Sequence, residues 1–182
     1  MITIRPLPKS DLDESDRIFR LAFGTFLGMP DPLQFAGDAD LVRPRWHTSP
    51  GSVLAAYDGS QLVATNILTR WGNFGFFGPL TVLPEYWDKG VGQLLLAETM
   101  KMYENWGTEL VSLFTFPHST KHVYLYQKYG FWPQTLTPVM GMPVAPCSMP
   151  EGATTYTLLD PQRRAEALAD CRALADKIYP GL

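Results

Sequence analysis

The apolar positions of this 182-residue chain fall into short runs and helical stripes in alternation. Residues 2–7 read as a brief strand closed by Pro6 and Pro8. Ser10 followed three residues later by Asp13 marks a helix start, and Leu12, Phe19, Ala22, Phe23 and Phe26 then share one helical face. Asp13, Asp16, Arg17 and Arg20 take the other face, and Gly24, Gly28 and Pro30 are expected to end the helix. Residues 31–48 are weakly patterned, with a short helix expected around Asp38–Arg43 before Pro44. Ser52–Tyr57 and Leu62–Arg70 flank Asp58-Gly59-Ser60 and predict a hairpin. A further strand is expected over Phe76–Leu83. A long helix over Gly90–Trp106 follows, its apolar face set by Val91, Leu95, Leu96, Met102, Tyr103 and Trp106. Leu110–Phe116 reads as a buried strand, Lys121–Tyr129 as a short helix, and Phe131–Val144 as extended chain whose prolines confine it to edge or irregular pairing. A Pro-rich connector (143–153) leads to a last helix over Pro161–Tyr179. Its stripe of Leu168, Cys171, Ala175 and Ile178 needs a covering surface: the body of the domain, a second subunit, or another domain.

Composition narrows the function. Fifteen Lys and Arg against eighteen Asp and Glu give a net charge of −3, the wrong sign for non-specific nucleic-acid binding. Apolar residues make up 46%, enough for a packed core and too many for disorder. No apolar run is long enough to span a membrane, and the first residues lack the basic-then-apolar order of a signal peptide. The two cysteines, Cys147 and Cys171, form no CxxC pair. No metal is expected, and a reducing, cytoplasmic setting is the simpler expectation.

One segment carries chemistry. Leu80-Thr81-Val82-Leu83-Pro84 predicts a strand end, and Lys89-Gly90-Val91-Gly92-Gln93 a helix start with two glycines. A helix N-terminus presents unpaired N–H groups and the positive end of its dipole, and glycines let a phosphate approach without a Cβ in the way. A phosphate or pyrophosphate cradle and a plain glycine-containing helix start both fit this loop. It is neither a P-loop, for want of Gly-Lys-Ser/Thr, nor a dinucleotide fingerprint, for want of a third glycine.

Val82-x-Pro84-Glu85-Tyr86-x-x-Lys89-Gly90-Val91-Gly92-x-x-Leu95-Leu96 resembles the acetyl-CoA signature of the GNAT superfamily of N-acetyltransferases. Leu125-Tyr126-Gln127-Lys128-Tyr129-Gly130-Phe131 resembles the superfamily's second signature, in the right order downstream. The resemblance covers roughly residues 1–145. It implies an α/β domain with a central twisted mixed sheet over 1–145, followed by a C-terminal extension over 146–182. It also implies acetyl-CoA as the acetyl donor, entering where two parallel strands splay apart. On this resemblance the backbone of Leu80, Thr81 and Val82 pairs with the pantetheine arm. The loop from Asp88 through Lys89, Gly90, Val91, Gly92 and Gln93 holds the pyrophosphate, Ser119 stands at a further cofactor-contact position, and Tyr126 protonates the departing thiolate. Two positions depart from the family pattern: Trp87 replaces the usual Gln or Arg, and Ser119 the usual Asn. Phe76 and Phe114 occupy strand positions where relatives often keep a base.

Acyl transfer to an amine requires a neutral nitrogen, donors for the developing oxyanion and a proton for the thiolate. A phenol such as Tyr126 holds its proton at neutral pH. His118 follows Pro117 near the expected splay and is the candidate to take the amine's proton through water. His122 and Glu85 read as structural or surface residues, while His47, Trp71 and Phe74 are candidates for an acceptor pocket. The expected acceptor is a small-molecule amine. Acetylation of a protein N-terminus or lysine, an acyl-CoA sensor without activity, a homodimer and one module of a longer chain all remain open.

Overall fold

The computed structural model describes residues 1–138, 140–143 and 148–178. Five strands form one sheet in the order of the chain. They are β1 (Ile2–Pro6), β2 (Val53–Asp58), β3 (Gln61–Trp71), β4 (Phe74–Val82) and β5 (Leu110–Ser112). The first four pair antiparallel, and β5 runs parallel to β4. Parallel neighbours need a crossover, which α3 (Val91–Asn105) provides. The other helices are α1 (Leu12–Phe26), α2 (Arg43–Thr48), α4 (Thr120–Gln127) and α5 (Pro161–Ile178).

Strands β2 and β3 are buried along consecutive residues rather than alternate ones, the mark of a sheet covered on both faces. Two neighbours on β3 show how. Thr65 receives the Ser15 hydroxyl of α1 at 3.4 Å and bonds Thr81 of β4 at 2.9 Å. Asn66 points the other way and donates to Thr99 of α3 at 2.7 Å. The core fills both layers, with Ile18 and Phe19 from α1, and Val91, Leu95, Leu96 and Tyr103 from α3.

The hairpin forms as expected, Asp58 pairing with Gln61 across Gly59-Ser60. The start of α1 departs from expectation. Ser10 bonds the neighbouring Asp11 carboxylate at 2.8 Å instead of capping the helix, and Asp11 occupies the cap position. Gly24 does not end α1. The helix runs on to Phe26, and Gly28, at φ +68°, follows it. Arg20 is no free surface charge: it pairs with Asp16 at 2.8 Å and donates to the carbonyls of Phe35, Gly37 and Ala39 at 2.7–2.9 Å. The second helix lies over Arg43–Thr48 rather than Asp38–Arg43, because Pro44 stands in its first turn, where no N–H is needed. Only Leu110–Ser112 of the fifth expected strand pairs, and the described residues after Gly130 form no strand. No residue of α5 is buried, and Leu168, Leu174 and Ile178 are exposed. Cys171 is an exposed free thiol, whereas Cys147, Val144 and the chain end at 179–182 lie outside the described residues. Among the described residues no helix is long and apolar enough to cross a membrane.

Gly24 tests how loop packing weighs against helix propensity. Alanine at a helix-interior glycine ordinarily gains about 1 kcal/mol. Here its Cβ would stand 2.3 Å from the Pro32 carbonyl oxygen and 2.5 Å from the Pro32 Cα, both backbone. Gly24→Ala is expected to lower the urea midpoint; a raised midpoint would show that the 31–35 loop yields freely.

Candidate active site

The β4–β5 ladder stops early. Phe74, Gly75 and Phe76 pair with Leu110, Val111 and Ser112, and beyond that point the two chains part. The gap is a cleft of about 470 Å³, walled by Phe77–Leu80 and Val82 on one side, by residues 113–116 on the other, and by α1, α3 and α4. The register of β3 on β4 slips between Asn66 and Leu68, opposite Gly78 and Pro79. A bulge of this kind shifts which side chains share a face. Phe77 therefore packs on the α3 side, against Tyr103, Tyr126 and Phe131. Leu80 and Val82 lie on that face too, near Gly92.

Backbone direction decides which groups of β4 face the cleft. Leu83 N–H donates to Val63 O on β3 at 2.9 Å. By alternation, the N–H and C=O of Val82 and Leu80 turn away from β3, toward the cleft. Thr81 is set back: it is buried, bonded to Thr65, and absent from the cleft wall. Sequence grouped all three as pantetheine partners, but strand parity leaves only Leu80 and Val82 open to the cleft. The Val82 carbonyl already accepts the Trp87 indole N–H at 2.8 Å. Trp87, marked in the sequence as a departure, is thus a cleft-wall residue fixed to the strand it follows.

The loop after β4 turns through two left-handed residues, Asp88 at φ +61° and Gly90 at φ +79°, into α3. The Gln93 N–H donates to Gly90 O at 3.0 Å. The N–H groups of Lys89, Gly90, Val91 and Gly92 have no acceptor among the described residues. Asp88, Gly90, Val91, Gly92 and Gln93 line the cleft, and Lys89 lies just outside it with its ammonium over the Tyr86 ring. Asp88 forms an ion pair with Lys121 of α4 across the cleft mouth.

Helix α4 supplies the opposite wall. Tyr129, two residues past α4, donates to Gln93 O at 2.8 Å and ties the end of that helix to the first turn of α3. Tyr126 lines the cleft, and burial pushes its phenol up to about 12. Its hydroxyl has no hydrogen-bond partner among the described residues, so it stands protonated and available as a donor. Ser119 stands at the N-cap position of α4, where its hydroxyl shares a 2.8 Å hydrogen bond with His122 Nδ1 instead of capping the helix. His122 lines the cleft, meeting Phe26 edge-on at 5.2 Å, whereas sequence read it as a structural helix residue. Only its place on the Tyr126 face of α4, four residues earlier, hinted at this role. Burial and the neighbouring Lys121 lower its pKa. His118 is exposed, stacks on Phe26 at 6.0 Å, and is not part of the cleft wall. His47 also lies apart, against Trp46. Among the described residues no group of three metal-ligating side chains comes together.

The model of the acetyltransferase (GNAT) family matches residues 17–131. The chain belongs to that family. It is an acyltransferase whose acetyl donor is acetyl-CoA, and the cleft fits such a donor: a backbone edge for an extended arm and free amides for phosphate. No curated protein matches the sequence. Solved structures share the fold at low identity. One is the PaiA N-acetyltransferase from Thermoplasma acidophilum in complex with coenzyme A (22% identity, TM-score 0.64, covering 75% of this chain and 93% of that one). Another is the ribosomal-protein-S18-alanine N-acetyltransferase from Escherichia coli (20%, 0.55, covering 74% and 80%). A third is AAC(6')-Iy in complex with a bisubstrate analogue, CoA-S-monomethyl-acetylneamine (15%, 0.57, covering 79% and 99%).

The setting of His122 is testable without any ligand. Its folded pKa lies below the unfolded value of about 6.5, so the unfolded chain takes the proton first as pH falls. Its contribution to stability is present above that value and is lost as pH falls from there through the lower folded pKa. Proton NMR of the imidazole is expected to show a midpoint below that of a free histidine, and Lys121→Gln should move the midpoint part of the way back up. A normal midpoint in the parent would mean that the ring is solvated rather than held in the cleft wall.

Proposed function

We propose that the protein is an N-acetyltransferase that transfers the acetyl group of acetyl-CoA to a primary amine of a small molecule, by direct attack. The observation that carries this reading is the parting of β4 from β5, which opens a cleft with a free helix N-terminus at its mouth and the Tyr126 phenol in its wall. Acetyl-CoA supplies the activated acetyl thioester. The backbone of Leu80 and Val82 offers an edge to an extended amide-bearing arm, as an added strand would find it. The amides of Lys89, Gly90, Val91 and Gly92, with the α3 dipole, suit a pyrophosphate. Asp88 shapes that turn, Gln93 closes it, and Lys121, paired with Asp88, stands beside it as a cation. Ser119 and His122 present a hydroxyl and a neutral imidazole to the donor's arm. Tyr126 holds a proton in the cleft wall throughout the physiological range, as a general acid for a leaving thiolate must.

Two variants test the two ends of the cleft. At Gly92 a Cβ would meet Leu80, Leu125 and Val82 side-chain atoms at 3.8–4.0 Å. Alanine fits there, while the further methyls of valine press into the space the phosphates need. Gly92→Val is expected to weaken acetyl-CoA binding about tenfold or more by calorimetry, and Gly92→Ala much less. Parental affinity in the valine variant would place the cradle elsewhere.

Tyr126→Phe removes one hydroxyl that bonds nothing else in the fold. Turnover is expected to fall by about 10² to 10⁴ with acetyl-CoA affinity nearly unchanged. A parental rate, measured where chemistry limits turnover, would reject the assignment.

A further inference from the structure

Three polar side chains of α4 stand in line along the donor cleft. Ser119, His122 and Tyr126 all line it, and spacings of three and four residues put them on one helical face. The ion pair of Lys121 and Asp88 marks the mouth, and Tyr126 lies deep, against Phe77 at 6.0 Å. His122 stands one turn before Tyr126, about 6 Å away along the helix axis. Acyl transfer to an amine moves two protons, one onto sulfur and one off nitrogen. The Tyr126 phenol is a donor and serves only the first.

The His122 imidazole is braced for the second. Its Nδ1 shares a 2.8 Å hydrogen bond with the Ser119 hydroxyl, and its Nε2 has no partner among the described residues. Phe26 of α1 meets the ring edge-on at 5.2 Å and itself leans on Phe116 at 5.1 Å. A serine hydroxyl can accept from Nδ1–H, which leaves the lone pair on Nε2, and the same bond persists once the ring is protonated. An imidazole fixed through one nitrogen with the other left open is an oriented proton acceptor.

The groups around the ring leave it in the right charge state. The carboxylate of the cleft wall, Asp88, is paired with Lys121. Lys128 lies over the Tyr124 ring at 4.6 Å, and Tyr86 donates to Asp58 at 3.3 Å. His118 stacks on Phe26 outside the wall. Burial and Lys121 hold the His122 ring neutral at pH 7, the state from which a base must start. An alkylamine needs such a group: with a pKa of about 10.4, roughly one molecule in 2,500 is neutral at pH 7. The aromatic faces of Phe23, Phe26 and Phe116 in the same wall suit the arriving cation.

Resting on the acetyltransferase reading above, we propose that His122 is the base of the reaction, its Nε2 taking the proton of a basic alkylamine acceptor through one water, with Ser119 as the positioning residue behind it. Nε2 gains one proton from the ammonium. The freed lone pair forms the N–C bond as the C–S bond breaks. The sulfur takes a proton from Tyr126, and the second proton shed by nitrogen returns to the phenolate through solvent. The products are the N-alkyl acetamide and free CoA, and the imidazolium releases its proton to solvent before the next turnover.

Benzylamine and para-toluidine test this, being isomers of which the first arrives as an ammonium and the second largely neutral. In the parent, kcat/KM for benzylamine is expected to rise only through the imidazole's own NMR midpoint and to run level from there to about pH 9. His122→Gln should lower it at pH 7 by about 10² to 10⁴, with a loss for para-toluidine at least about tenfold smaller. The level region should become a rise of about tenfold per pH unit, following the neutral fraction of the amine. Acetyl-CoA affinity by calorimetry should change far less than the rate. Ser119→Ala should lower the imidazole midpoint and carry the acid limb of the rate profile with it, and Ser119→Thr should restore both. An acid limb that survives in His122→Gln, or equal losses for the two amines, would overturn the proposal and leave the acetyltransferase reading standing. So would acetylation of para-toluidine but not benzylamine. Should His122→Gln fail to bind acetyl-CoA, Ser119→Ala decides: a limb that stays while the midpoint moves would overturn the proposal. Binding of acetyl-CoA with neither amine acetylated would overturn both readings.

Discussion

Everything at this site follows from a ladder that is too short. Strands β4 and β5 share only three residue pairs, and then each goes its own way. A parallel pair left unzipped exposes backbone groups that a folded protein normally satisfies within itself. Here those of Leu80 and Val82 are turned toward the cleft. The antiparallel part of the sheet supplies the rigidity that makes this tolerable. β2 and β3 are clamped between α1 and α3 by the opposed Thr65 and Asn66 contacts, so the open seam costs the fold little beyond its own missing bonds. The bulge opposite Gly78 and Pro79 has a second effect. It turns Phe77 toward Tyr126 and leaves Phe74 and Phe76 with Trp71 on the other face.

Much of the frame was legible in the sequence, and the reasons are local. Gly59 between two apolar runs could only be a hairpin. The Gly90–Gly92 helix start announced itself through its glycines, and the apolar stripe of α3 through its spacing. The Asp88–Gln93 turn and Tyr126 stood out through short motifs whose residues sit close together in the chain. What escaped was set by direction and by distance. That Thr81 turns its back on the cleft depends on strand parity at a bulge, which no residue type records. That His122, and not His118, enters the wall depends on where α4 begins. Trp87 was visible as an oddity, but its bond to the Val82 carbonyl was not. Arg20 looked like a surface charge because its partners, the carbonyls at 35, 37 and 39, are backbone groups with no signature in sequence.

The tail teaches the converse lesson. The stripe on the last helix was readable from its spacing, and α5 forms over Pro161–Ile178, yet none of its residues is buried. Periodicity reports that a helix has an apolar side. It does not report what that side meets, because the covering surface contributes nothing to the helix's own pattern.

The ion pair between Asp88 and Lys121 bears on how long a phosphate-bearing molecule stays. Both side chains are well exposed, so their attraction is worth at most about 1 kcal/mol. On the proposed reading, a phosphate bound at this turn would have to draw Lys121 away from a carboxylate that already neutralises it, and the same carboxylate would recover the lysine as the molecule departs. The bridge thus acts as a built-in competitor, trimming residence by no more than about fivefold. Because it is a surface charge pair, salt weakens the competitor as well as the attraction it opposes. The net grip on the phosphate should vary less with ionic strength than a bare lysine at the same position would allow.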